Sequence, residues 1–225
     1  MKNKIFTQDF ELLRNEVDSA IESFFTYISM HNEIASDAEL KRKINKNPTF
    51  WLIVLSSLQT KFFISLGKIF DDHKHAHSIG KLKCSIDKNK ELFSNKELAK
   101  RKSPNGVIPD WLDDYIMNTM EPTSDDFRKF KKQFAKCRSI WNLGCKDIRN
   151  KVIAHIELKE PSEITNLFQK TNILEIEEML YTLHDTLESL WQLQHNGGTP
   201  VFGVREYGYK SRIKSTTASA MKSLT

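Results

Sequence analysis

The stretch Ser124–Ile148, SDDFRKFKKQFAKCRSIWNLGCKDI, decides the fold class of this 225-residue chain. Its seam residues recur at alternating spacings of three and four: Phe127, Phe130, Phe134, Cys137, Trp141, Gly144 and Ile148. This spacing predicts a long helix with a narrow apolar seam that packs against other helices. Ser124-Asp125-Asp126 predicts the start of that helix, because acidic side chains are favourable at a helix N-terminus. Gly144 on the seam is expected to let a neighbouring backbone come close.

Similar apolar spacing predicts three further long helices, over about 8–31, from Pro48 to about Asp71-Asp72, and over about 172–194. The last of these is expected to stop at Asn196-Gly197-Gly198. Only 8 Gly and 6 Pro are present, too few for a fold built from many tight turns. Pro161 is expected to end the helix that carries the seam. The sequence therefore predicts an all-α, up-and-down helical bundle with long antiparallel helices, additional short helices in the 73–120 region and a less regular basic C-terminal tail.

The composition predicts one helical domain over 1–198 and a basic, aromatic extension over 199–225. With 39% hydrophobic and 28% charged residues, the chain has the composition of a soluble globular protein. No apolar run approaches the roughly 18 to 20 residues that cross a bilayer, and the N-terminus lacks the apolar region of a secretion signal. We expect a cytoplasmic protein without a membrane partner. The three cysteines form no CxxC pair and are expected to be reduced.

Basic residues concentrate between Phe127 and Lys159, where ten Lys and Arg stand against Asp147 and Glu157, a local excess of +8 within a chain of net charge +5. A polyanion would be drawn to such a segment. The predicted nucleic-acid-binding residues are Lys136, Arg138, Lys146 and Lys151.

The segment Arg149–His155, RNKVIAH, places a guanidinium and an imidazole near the end of this basic helix. In an α-helix, His155 would return to the face of Ile148, and the long side chain of Arg149 would reach up beside the ring. A capping or core histidine is the alternative interpretation. Asp71-Asp72-His73-Lys74-His75-Ala76-His77 contains metal-binding residue types, yet a solvated helix terminus explains it better, and no metal or cofactor is predicted.

The string I-R-N-K-V-I-A-H late in a long helix, preceded by I-F-D-D after the second helix, resembles the HEPN superfamily (higher eukaryotes and prokaryotes nucleotide-binding), in its abortive-infection, AbiU-like branch. The resemblance implies an all-α bundle and a homodimer. It also implies a metal-independent endoribonuclease whose Arg-polar-x4-His motif meets its copy across the dimer interface. Arg149, Asn150 and His155 match the three positions of that motif.

The resemblance gives these residue types a chemical role in RNA cleavage. An imidazole exchanges protons near neutral pH, and the planar guanidinium of Arg149 suits the developing charge on the phosphorane oxygens. Asn150 would orient the phosphate or the imidazole, and the 2′-hydroxyl would be the nucleophile. The implied function is a toxin-like endoribonuclease in phage defence or translation shutdown. The alternative is a non-catalytic helical dimer that binds nucleic acid, a nucleotide or a protein.

Expected partners are RNA, a second copy of the chain and an antitoxin protein. The apolar seam favours a dimer interface on the face of Gly144, Ile148 and His155, since an apolar face on a basic helix needs a cover. The chain's own bundle is the competing cover.

Overall fold

Helices joined by turns make up the computed structural model, which describes residues 2–155, 160–203 and 208–224. Within these ranges no strand occurs, so the predicted all-α class is confirmed. The α-helices are α1 Lys2–Ser36, α2 Ala38–Ile44, α3 Pro48–Ile69, α4 Ile79–Lys88, α5 Asn95–Lys102, α6 Leu112–Met117, α7 Ser124–Ile140, α8 Lys146–Ile148, α9 Pro161–Gln169, α10 Ile173–Asn196 and α11 Gly208–Lys222. Short 3-10 turns lie at Lys90–Phe93 and Pro104–Gly106.

Capping residues explain why several helix ends lie where the sequence predicted them. Pro48 begins α3, and proline tolerates the first helical turn because its missing N–H needs no partner there. The start of α7 carries a capping box, in which Thr123 accepts from the Asp126 backbone and the Asp126 side chain accepts from the Thr123 backbone. Gly197, with φ 61°, follows the last residue of α10 in the left-handed conformation that glycine adopts readily.

Three features of the helix pattern differ from the prediction. Pro161 does not end the preceding helix, whose C-cap is His155. It begins α9, since a proline at the first helical position leaves no hydrogen bond unmade. The short helix α2 was not predicted. The C-terminal tail, predicted to be less regular, contains the 15-residue helix α11. The predicted division of the chain at residue 198 stays a prediction.

The described residues form two compact units, and the first comprises those within Met1–Arg14, Ile69–Trp141 and Ile173–Val204. In this unit α7 packs against α10, and both bury their apolar residues. The Phe93 ring meets Phe6 and Phe127 edge-on, at centroid distances of 5.3 and 5.4 Å. Burial raises the pKa of the Cys137 thiol to about 12, so this thiol stays protonated at neutral pH.

The second unit comprises the described residues within Asn15–Lys68, Asn142–Asn172 and Arg205–Thr225. Phe62 on α3 packs against Phe24 on α1 and against its neighbour Phe63, with ring centroids 5.1 and 5.0 Å apart. A separate buried cluster within this unit consists of Met30, Leu40, Ile44 and Met221. Met221 belongs to α11, so the C-terminal helix contributes to the core of this unit.

Helix α3 is the one helix in the described part of the chain that is long and apolar enough to cross a membrane by length and composition. The helix has 22 residues. Its most apolar 18-residue window has a mean hydropathy of 1.4, and 28% of that window is buried. The expectation that no stretch approaches such a length was wrong, because Ser56, Ser57 and Gln59 interrupt the apolar run without introducing a charge. The cytoplasmic location and the absence of a membrane partner stay predictions.

Candidate active site

The helix that carries the basic segment does not keep α-helical geometry to its end. After α7 it continues through a π-helical turn at Trp141–Cys145, the short α8, and a second π-helical segment at Arg149–Ala154. A π-helix closes its hydrogen bonds from residue i to i+5 and is rare outside single turns, which occur frequently at functional sites. The second π-helical segment contains Arg149 and Asn150 and ends immediately before His155.

Arg149 and Asn150 are joined by a side-chain hydrogen bond. The Arg149 Nη1 group donates to Asn150 Oδ1 over 2.9 Å, and both side chains are half-buried. A guanidinium carries only donors, so the amide oxygen of Asn150 faces Arg149 and its Nδ2 group is turned away as a donor. Arg149 and Asn150 of the predicted motif therefore form a hydrogen-bonded pair. The sequence had suggested the phosphate or the imidazole as the partner of Asn150, and the structure adds Arg149.

The inner part of the Arg149 side chain lies against α3. A Cβ atom built on Gly67 would stand 2.6 Å from Arg149 Nε, so the guanidinium passes directly over this glycine. The Nε atom is buried and has no hydrogen-bond partner in the described part of the chain. Gly67 was not among the predicted site residues. The sequence feature that could have indicated this contact is a glycine in the interior of an otherwise apolar helix. Glycine is unfavourable there relative to alanine, and it indicates that another group comes close to the helix backbone.

His155 stands at the C-cap position after the second π-helical segment. Its backbone is extended, with φ −135° and ψ 149°, and its side chain is exposed. Ile148, in contrast, is completely buried. The α-helical expectation that His155 shares the face of Ile148 is therefore wrong, because neither a π turn nor an extended residue follows a rotation of about 100° per residue. The core-histidine interpretation is wrong as well, and the imidazole is accessible to solvent.

The apolar seam is covered by the chain itself at Ile148, where α8 packs against α9. The burial of Ile148 favours the chain's own bundle as the cover of the seam at this residue, and the predicted dimer face stays a prediction. Gly144 does have a neighbouring backbone nearby, since a Cβ there would lie 3.7 Å from the Lys170 carbonyl oxygen and from Thr171 Cα. These are ordinary contacts, and an alanine would fit. The homodimer itself stays a prediction.

Carboxylates neutralise much of the basic segment. Six of its ten basic residues form ion pairs with described carboxylates: Arg128 with Asp125, Lys129 with Asp126, Lys131 with Asp87, Lys136 with Glu178, Arg138 with Asp72, and Lys151 with Asp147. Lys146 is exposed and forms no ion pair with another described residue. The segment therefore presents a weaker positive field than its composition suggests, with Lys146 as its most available predicted phosphate ligand.

Arg138, a predicted nucleic-acid-binding residue, has a structural partner in the I-F-D-D segment. Its Nη1 group donates to both oxygens of Asp72, at 2.8 and 3.0 Å, and its guanidinium lies over the ring of Phe70. Phe70 in turn stacks on Trp141, with ring centroids 5.4 Å apart. The I-F-D-D segment therefore holds the end of α7 within the first unit. Lys136 and Arg138 belong to that unit, whereas Lys146, Lys151 and the Arg149–His155 segment belong to the second.

The histidine-rich segment 73–77 has a local structural role. His77 Nδ1 lies 2.6 Å from Asp9 Oδ1, and Lys81 Nζ lies 3.2 Å from the same carboxylate oxygen. The Asp9 side chain is buried, and Lys81 compensates its charge while His77 forms a hydrogen bond with it. His73 and His75 are exposed and contact each other, with ring centroids 5.5 Å apart. No group of three or more His, Cys, Asp or Glu with metal-binding geometry occurs among the described residues.

Comparison with known proteins assigns the family. The AbiU2 family profile, HEPN_AbiU2, matches residues 4–213, which is nearly the whole chain. No curated protein and no solved structure matches the chain. The all-α fold and this family match confirm the resemblance drawn from the sequence. The chain belongs to the AbiU2 family of HEPN proteins.

Proposed function

We propose that this protein is a metal-independent endoribonuclease of the HEPN type that acts as a toxin in phage defence or translation shutdown. The observation that carries the proposal is the hydrogen-bonded pair Arg149–Asn150 on a π-helical segment that ends at an exposed histidine, His155. These three residue types supply what cleavage of an RNA phosphodiester needs from a protein. The membership of the chain in the AbiU2 family supports the same reading.

The proposed reaction is an internal transfer within the RNA. The 2′-hydroxyl loses its proton and its oxygen attacks the adjacent phosphorus, while the bond from phosphorus to the 5′-oxygen breaks and that oxygen gains a proton. The products are a 2′,3′-cyclic phosphate and a 5′-hydroxyl. His155 moves a proton as a general acid or base, a role that requires an accessible imidazole near the reacting oxygens.

Arg149 and Asn150 bind the phosphate in this mechanism. The guanidinium stabilises the negative charge that grows on the non-bridging oxygens in the transition state. Asn150 holds the Nη1 side of the guanidinium through its Oδ1 and offers its Nδ2 group to a phosphate oxygen. The hydrogen bond between the two side chains preorganises both donors, which reduces the reorganisation that the reaction would otherwise require.

Lys146 is the proposed contact to a neighbouring RNA phosphate. It lies three residues before Arg149, is exposed and has no described carboxylate partner. Lys151 can contribute after exchanging its ion pair with Asp147, since exposed pairs of this kind are worth at most about 1 kcal/mol. The exposed pair of Lys136 with Glu178 can exchange in the same way. Arg138 is a weaker candidate because it donates to both oxygens of Asp72 and lies over the ring of Phe70.

A second copy of the chain is the proposed protein partner, with the N-terminal half of α3 as its contact surface. Phe50, Leu52 and Ile53 on this helix are 59%, 68% and 59% exposed. Neighbouring exposed apolar side chains of this size are typical of protein interfaces. This surface replaces the buried seam residue Ile148 as the expected dimer contact, and an antitoxin protein remains a further proposed partner.

The function is tested by incubating the purified protein with end-labelled RNA in EDTA and determining the chemistry of the fragment ends. Fragments with 2′,3′-cyclic phosphate and 5′-hydroxyl ends are expected. RNA that is bound but stays intact under all conditions would favour the alternative, a non-catalytic helical dimer that binds nucleic acid.

A further inference from the structure

Gly67 leaves a space in α3 that the Arg149 side chain fills. A Cβ atom at Gly67 would lie 2.6 Å from Arg149 Nε and 3.3 Å from both Cδ and Cζ. The first distance is well below the roughly 3.5 to 4.0 Å at which non-bonded heavy atoms attract each other. Any side chain at position 67 would therefore displace the guanidinium from its observed position.

The backbone gives no other reason for a glycine at this position. Gly67 lies in the interior of α3 and does not have a positive φ, the conformation for which glycine is usually required. Alanine is the better helix former in such a position. The chain thus has an unfavourable helical residue where the Arg149 side chain lies against α3.

The contact with Gly67 fixes one side of the guanidinium. Arg149 Nε is buried without a hydrogen-bond partner in the described part of the chain, although a buried donor is normally paired. On the other side, Nη1 donates to Asn150. With Nε against α3 and one Nη1 hydrogen bonded to Asn150, the two Nη2 hydrogens and the second Nη1 hydrogen are the donors left for an anion.

We propose that Gly67 is a positioning residue for Arg149. The missing side chain lets the guanidinium cross α3 and present Nη2 at the orientation that the cleaved phosphate requires. This inference rests on the proposed endoribonuclease function, and Gly67 itself touches neither the RNA nor the reacting atoms.

The test is the single-turnover cleavage rate of Gly67→Ala, which adds one methyl group and keeps the charge of the chain. We expect the rate to fall about 10- to 100-fold, since a misplacement of about 1 Å can cost that much. The melting temperature is expected to stay equal or to rise, because the displaced atoms belong to a flexible side chain and alanine favours the helix. Gly80→Ala on α4 is the matched control, since its Cβ would meet only Ser78 Oγ at an ordinary 3.5 Å.

A double-mutant cycle separates positioning from general damage. If Gly67 acts through Arg149, then Gly67→Ala/Arg149→Ala cleaves no more slowly than Arg149→Ala alone. The same logic applies to stability, where Gly67→Ala should raise the melting temperature more in the Arg149→Ala background, since the methyl group then has room. A wild-type cleavage rate in Gly67→Ala, or independent losses in the double variant, would overturn the inference.

The Gly67 inference can still be tested if the endoribonuclease proposal is wrong. If the wild-type protein does not cleave RNA, the endoribonuclease proposal fails, and the melting temperatures of the four proteins in the cycle decide the Gly67 inference. Coupling between the two substitutions then supports the positioning of Arg149 by Gly67. Additive melting temperatures would contradict it.

Discussion

Arg149 Nη1 donates a hydrogen bond to Asn150 Oδ1 over 2.9 Å, although the two residues are neighbours in the chain. Side chains at adjacent helical positions do not normally face each other. The length of the arginine side chain allows it to turn back to the amide. One consequence is that Asn150 has two separable tasks, to hold Arg149 through its oxygen and to donate from its nitrogen.

Asn150→Asp distinguishes these two tasks. Aspartate keeps the oxygen that faces Arg149 but loses the Nδ2 donor and adds a negative charge beside the phosphate. We expect its cleavage rate to fall about 10²-fold or more, as for the loss of one charge-stabilising donor. Cleavage by Asn150→Asp at the wild-type rate would show that Asn150 does no more than hold the arginine. The measurement is the single-turnover rate, with the melting temperature as the control for folding.

RNA binding is expected to weaken with increasing salt, because Lys146 and its neighbours release counterions when they neutralise phosphates. Lys146→Ala should reduce the slope of log affinity against log salt by about one. Lys100→Ala is the control, since Lys100 is an exposed lysine on α5 that pairs with Glu97, outside the basic segment. An affinity that does not change with salt would indicate a partner other than a polyanion.

The exposed apolar residues of α3 predict the oligomeric state. The protein should be a dimer by light scattering at tens of micromolar, and Ile53→Asp should make it a monomer, since the interface would have to bury an unpaired charge. Val107→Asp is the control, since Val107 is 67% exposed and belongs to the other unit. A wild-type monomer, or a dimer that survives Ile53→Asp, would remove α3 as the contact surface.

The capping box of α7 predicts a pH dependence of stability. Hydrogen bonds from the Thr123 hydroxyl and backbone, together with Lys129, lower the pKa of Asp126 from 3.8 to about 2. A carboxylate with a lowered pKa stabilises the folded state above about pH 4, and this contribution is lost as the pH falls toward 2. Asp126→Asn should therefore lower the stability at pH 7 by about 1 kcal/mol, the typical value of such a cap.

Thermal melts between pH 2 and pH 7 check this prediction. The difference between Asp126→Asn and the wild type should shrink as the pH falls below 4. Asp125→Asn, at a largely exposed neighbouring position, should change the melts much less. A difference that is the same at pH 2 and pH 7 would show that the carboxylate charge is not what stabilises the helix start.

The helix ends that the sequence predicted correctly are those with a local chemical signal. Pro48, the acidic start of α7 and Gly197 each act within one helical turn, so the residues themselves specify where the helix begins or ends. Pro161 gives a local signal too, but of the opposite kind, because the same residue that stops one helix is favoured at the start of the next.

The geometry of the candidate site was less predictable. The apolar spacing of three and four residues continues through Trp141, Gly144 and Ile148, and this spacing does not indicate the change to π-helical hydrogen bonding. Because of this change and the extended conformation of His155, the His155 side chain is exposed, whereas α-helical geometry predicted it on the face of Ile148. Gly67 is 82 residues before Arg149 in the sequence, so their contact depends on the tertiary fold and lies outside any local pattern.

The cleavage rates of His155→Ala and Arg149→Ala in EDTA test the central claim most directly. We expect the rate to fall by roughly 10² to 10⁴ without His155 and by roughly 10² to 10³ without Arg149. RNA affinity should change little, and the stability cost should be on the order of 1 kcal/mol for residues that are exposed or half-buried. His75→Ala and Arg42→Ala, at exposed positions outside the site, should cleave at the wild-type rate. A folded His155→Ala variant that cleaves RNA as fast as the wild type would contradict the account.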